Sequence, residues 1–129
     1  MLLSEYAAGL AKIIDEHAKT DLIVASGLDA DYRTDKVGSI QGPVTFTDSS
    51  RLFFMEYLDV RFKVEKLTYS YHYQRKDGAL IFRYDNALHK PRLKFADHKH
   101  ISSGDAIESE EPTLDAVIAE IMTHLVFFR

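Results

Sequence analysis

The chain has 129 residues, 46% of them hydrophobic, which suits one domain with a buried core and excludes a disordered tail. It has no cysteine, which excludes a disulfide scaffold, a thiolate metal site and a cysteine nucleophile. The net charge of −4 hides an uneven distribution: ten Lys/Arg stand against four Asp/Glu between Arg61 and His100, with four of the six histidines.

Tyr6, Leu10, Ile13, Ile14 and His17 recur at helical spacing, so a helix is expected from Ser4, as its cap, to about His17. Leu22–Arg33, Lys36–Phe46, Arg51–Val60, Lys63–Arg75 and Ala79–Asp85 are rich in β-branched and aromatic residues with short polar breaks. They read as five successive antiparallel strands. Residues 86–100 have no clear period and contain Pro91, which reads as a long ordered or functional loop. Acids at 108–111 and Pro112 suit the start of a second helix, because acids favour the positive end of its dipole. Leu114, Val117, Ile118, Ile121 and Leu125 give that helix one apolar stripe. Phe127 and Phe128 extend it as a docking surface for a homodimer mate or another partner.

The expected fold is therefore α+β and a single domain over 1–129. An N-terminal helix, a five-stranded antiparallel meander, a long loop and a C-terminal helix follow one another, with both helices on one sheet face. No stretch approaches the roughly 20 apolar residues of a membrane span. Acids at Glu5, Asp15 and Glu16 interrupt what a signal peptide would keep apolar. The expected location is cytoplasmic.

Asp77-Gly78 is a hairpin signal. A two-residue turn there pairs Tyr73 with Phe82, Tyr71 with Tyr84, His72 with Arg83, Ser70 with Asp85 and Gln74 with Ile81. Directly opposed residues share a face. One face is then aromatic, suited to packing under the helices, and the other ionisable. Glu56 shares a strand side with Leu52, Phe54 and Leu58, an odd place for a carboxylate. A rim position or a pairing with Arg83 or a lysine is preferred over a general base near the open face.

His98-Lys99-His100 puts two imidazoles on one side of an extended backbone. Such a pair suits metal ligation, with Asp85 or Asp97 completing the shell, or acid–base catalysis. The surrounding cations favour a phosphate over a divalent ion.

Tyr69-Ser70-Tyr71-His72-Tyr73-Gln74, Ile81-Phe82-Arg83-Tyr84-Asp85-Asn86-Ala87, His89 and His98-Lys99-His100 together resemble the TumE family, small toxins of toxin–antitoxin modules. The resemblance implies a cytoplasmic toxin neutralised by an antitoxin of helix-turn-helix type, encoded beside it. At Ala87-Leu88-His89-Lys90 the chain departs from the proline and paired histidines expected there, so His89 receives no role.

The leading expectation is a metal-independent ribonuclease needing no cofactor. His98 or His100 would fill the base and acid roles, with His72 orienting or sharing the proton work and Arg83 and Lys99 holding the phosphate. Lys99, Asp85, Arg92 and Lys94 would complete the substrate-binding set. Two other classes stay open: a non-catalytic module gripping nucleic acid or protein through its basic loop, and a His-ligated metal enzyme.

Overall fold

The structure, a computed structural model, describes residues 1–88 and 96–127. Helix α1 spans Leu3–Ala18. Strands follow as β1 Ile23–Ser26, β2 Asp29–Tyr32, β3 Val37–Phe46, β4 Arg51–Asp59, β5 Glu65–Gln74, β6 Leu80–Asp85, β7 His98–Ile101 and β8 Ala106–Glu108. Helix α2 spans Leu114–Phe127. The α+β class and the terminal helices match expectation. Among the described residues there are eight strands, not five, in one antiparallel sheet ordered β1-β3-β4-β5-β6-β7-β8, with β2 also on β3.

The three added strands have local causes. The first expected strand splits at Gly27-Leu28, so β1 and β2 pair with successive halves of β3. The crossing is close: a Cβ on Gly42 would lie 1.9 Å from the Gly27 carbonyl oxygen, so only glycine fits. The last three residues of the expected long loop instead begin a further hairpin, β7–β8. Its turn repeats the one between β5 and β6. In each turn a glycine at positive φ (Gly78 at 90°, Gly104 at 94°) ends the loop. Each closes three residues in the same way: Arg75 N donates to Ala79 O and Gly78 N to Arg75 O, as Ile101 N donates to Asp105 O and Gly104 N to Ile101 O.

The hairpin register holds from Ser70↔Asp85 to Tyr73↔Phe82. It then slips, and Gln74 pairs with Leu80 rather than Ile81. The turn is Lys76-Asp77-Gly78, three residues rather than two, and the extra residue is absorbed as a bulge.

Alternation along the strands divides the sheet. Ile40, Val44, Phe46, Leu52, Phe54, Leu58, Tyr69, Tyr71, Tyr73 and Phe82 are buried on one face. Leu3, Ala7, Leu10 and Ile14 of α1 and Leu114, Val117, Ile118, Ile121 and Leu125 of α2 complete that core. Both helices lie on this face, as Tyr6 of α1 donates to Glu56, and Glu120 of α2 accepts from Tyr84 and Lys99. Tyr84 is half-buried rather than fully covered.

Helix starts differ from expectation in detail. Ser4 is inside α1, and Glu5 Oε1 accepts from Leu2 N at 2.7 Å. Thr113 Oγ1 accepts from Ala116 N at 3.1 Å and so caps α2. No helix among the described residues is long and apolar enough to cross a membrane.

Candidate functional site

β5, β6 and β7 lie side by side, and their open-face residues form two rows. His72, Arg83 and His100 are direct cross-strand partners in one. Ser70, Asp85 and His98 are partners in the other. Five residues singled out from the sequence therefore meet: His72, Arg83, Asp85, His98 and His100. The two histidines of the H-K-H stretch sit on strand β7, not in a loop, and pairing with β6 brings them to Asp85.

Asp85 is the hub. Its side chain accepts from Arg83 Nε at 2.9 Å and from Ala87 N at 3.1 Å. His98 Nε2 lies 2.6 Å from Oδ1, and His100 Nε2 lies 3.4 Å from Oδ2. Burial alone would push the Asp85 carboxyl up. Arg83, the Ala87 amide and His98 outweigh it and hold the carboxyl below its usual range. Asp85 and His98 are both buried, while His100 and Arg83 reach the surface.

His72 uses both ring nitrogens. Arg83 Nη1 lies 3.3 Å from Nδ1, and Gln74 Oε1 lies 3.1 Å from Nε2. Arginine can only donate, so Nδ1 accepts and Nε2–H donates. Burial, reinforced by the Arg83 charge, pulls the His72 pKa below its usual 6.5, against the Gln74 bond. A neutral imidazole thus touches a guanidinium, which is held in turn by a carboxylate.

Lys99 is placed elsewhere. It alternates to the helix face, where Nζ donates to Glu120 at 2.9 Å and stands 4.9 Å from the Tyr84 ring centroid. Arg92, Lys94 and His89 lie outside the described residues, as does Phe128. Phe127 is 75% exposed.

Glu56 is fully buried on the helix face, not near the open one. It pairs with Lys66 at 3.6 Å, as one of the sequence alternatives had it. It also accepts from Tyr6 Oη at 2.5 Å and from Tyr71 Oη. Lys66 further donates to the Pro112 carbonyl at 2.6 Å, tying the approach to α2 onto the sheet.

Sequence reasoning missed two positioning residues. Asn86 accepts from Tyr69 N at 3.0 Å and donates to Leu67 O, so its side chain extends the ladder where β6 stops. Gln74 orients His72. Asn86 directly follows Asp85, and Gln74 is two residues from His72 on a strand, so both spacings carried a signal.

Asp85, His98 and His100 each bring one ligand atom to within 4.8 Å of the others, a set able to hold a divalent ion. The Arg83 guanidinium on the same carboxylate adds a competing positive charge.

The family model described as Toxin TumE matches residues 10–125. The chain belongs to the TumE toxin family. The match spans all eight strands and most of both helices. For this TumE-family chain, membership means a toxin of a toxin–antitoxin module and implies an antitoxin partner. No curated protein and no solved structure matches the chain.

Proposed function

We propose that this toxin is a cytoplasmic, metal-independent ribonuclease working on the open sheet face. The observation that carries the reading is the row His72–Arg83–His100 on three adjacent strands, braced from behind by Asp85 and His98. Two imidazoles flanking a guanidinium match the needs of RNA self-cleavage. One group takes the proton from the 2′-hydroxyl, whose oxygen attacks the adjacent phosphorus. A second gives a proton to the departing 5′-oxygen, and a cation steadies the extra charge on the phosphate.

His72, held neutral, suits the base, its Nδ1 exchanging the 3.3 Å Arg83 contact for the 2′-hydroxyl. His100 suits the acid, with the Asp85 carboxylate beside its ring. Arg83 offers a planar fork to the phosphate while its Nε stays on Asp85. His98, 1% exposed, acts by positioning Asp85. The basic segment containing Arg92 and Lys94 adds attraction for the RNA backbone.

The test is the chemistry of the product. Toxin freed of antitoxin should leave a 2′,3′-cyclic phosphate or its opened form, ignore DNA, and keep its rate in excess EDTA. His72→Ala and His100→Ala should each lower the rate by about 10²–10⁴ with little change in melting temperature. Arg83→Lys should also be costly. Protein inert on varied RNAs overturns the reading in favour of a binding module. Cleavage abolished by EDTA and restored by a divalent metal makes Asp85, His98 and His100 ligands instead.

A further inference from the structure

The open-face row does not stop at His72. It runs Pro43, Phe53, His72, Arg83 and His100, each the direct partner of the next across five strands. The half on β5 to β7 is ionisable, and the half on β3 and β4 is apolar. Met55, the next open-face residue of β4, continues the apolar ground. Phe53 is 39% exposed although β4 is an interior strand. A cavity of about 470 Å³ is lined by Pro43, Phe53 and Met55 together with His72 and Arg83. Asp29, Gln41, Ser70 and Gln74 give it a polar rim. This volume suits a small ligand or one residue of a polymer.

We infer that this trough is a nucleobase subsite, holding one base of the RNA beside the phosphate on Arg83. The inference rests on the ribonuclease reading and extends it to how substrate is gripped. Adjacent strands are ~4.8 Å apart, so Phe53 stands one strand from His72 and two from Arg83. That places a stacking surface within one nucleotide of the phosphate. An exposed aromatic ring holds any base through its π-face, with a typical contribution of about 5- to 150-fold in affinity. The amides of Gln41 and Gln74 both donate and accept, and Asp29 accepts, so the rim can meet a base's edge. A bare phosphate or a metal ion would use Arg83 or Asp85 and have no use for the phenyl ring.

The experiment uses the full chain freed of antitoxin. It is titrated with the four 3′-nucleoside monophosphates and, separately, with inorganic phosphate, while the Phe53 ring and His72 resonances are followed by NMR. The nucleotides should bind about tenfold or more tightly than phosphate and shift the Phe53 signals. Phe53→Leu, which keeps apolar bulk without the ring, should erase that advantage and leave phosphate affinity intact. On RNA it should raise KM with kcat little changed. Phe53→Tyr should restore wild-type behaviour. Equal affinity for nucleotide and phosphate, or a Phe53→Leu protein that behaves as wild type, overturns the subsite. If RNA is cleaved by a protein that binds the nucleotides no more tightly than phosphate, the subsite falls and the ribonuclease reading stands. If nucleotides bind through Phe53 to a protein that cleaves no RNA, the catalytic reading falls and the subsite stands.

Discussion

Glu56 and Asp85 are buried carboxylates, 0% and 3% exposed, on opposite faces of one sheet. Their neighbours differ in kind. Glu56 is met by two phenols and a lysine beneath the helices. Burial and the Glu56 charge push the Tyr6 and Tyr71 hydroxyls far above their usual range, so their protons stay in place. Asp85 is met by a guanidinium, a backbone amide and two imidazoles. One network is therefore sealed and structural. The other joins a guanidinium and two imidazoles to one carboxylate on the opposite face. The same alternation of strand residues builds both, and what covers each face decides the difference.

The largest test removes the cover. Deleting residues 112–129 takes away Leu114, Val117, Ile118, Ile121 and Leu125, each 2% exposed or less, and the Glu120 partner of Tyr84 and Lys99. The product should lose cooperative thermal unfolding and precipitate. A soluble truncation with a sharp calorimetric transition would show that the helix face does not need α2.

Next comes the contrast between the carboxylates themselves. Asp85→Asn should lower RNA cleavage by about 10²-fold, since the amide no longer balances Arg83 and two imidazoles. Glu56→Gln should leave the rate per folded molecule unchanged and cost about 1–3 kcal/mol of stability through a strained buried network. Denaturation beside kinetics on both variants separates the two outcomes. A Glu56→Gln protein that is stable but inactive would dissolve the distinction between the faces.

A smaller effect is expected from Tyr71→Phe, which removes one donor to Glu56 and one acceptor of Lys66. The cost should be about 1–2 kcal/mol, read as a shifted denaturant midpoint with unchanged slope.

Legibility followed the range of the interaction. The terminal helices, the Ser70-to-Tyr73 register and the facing of His72 with Arg83 needed only local periodicity and one turn signal. The bulge at Gln74 was hidden because Lys76-Asp77-Gly78 and Asp77-Gly78 look alike until the closing hydrogen bond is known. β7 and β8 were hidden because each is at most four residues long, although Ser102-Ser103-Gly104 carried the same turn chemistry. The H-x-H spacing told that His98 and His100 share a side. It could not tell that pairing with β6 would bury one and leave the other partly open. A lysine partner for Glu56 followed from charge, whereas Tyr6, 50 residues away, depends on how α1 docks.

The finest test lies at the two ends of the pH scale, where the faces should fail separately. His72 has a folded pKa below 6.5, so the unfolded chain takes up its proton first as pH falls. Its contribution to stability is fully present above 6.5 and is lost as pH drops below that value. Asp85, held below 3.8, adds a second loss when pH falls beneath 3.8. Tyr6 and Tyr71 act in the opposite direction. Their folded pKa values exceed 10.0, so above pH 10 the unfolded chain sheds protons that the folded chain retains, and stability falls as pH rises. Melting temperature measured from pH 3 to 11 should therefore show acid losses from the open face and an alkaline loss from the helix face. His72→Gln should flatten the first acid step alone, and Tyr71→Phe should shrink the alkaline loss alone. If His72→Gln changes the alkaline limb, or Tyr71→Phe the acid one, the two networks are coupled through the sheet and do not act as separate halves.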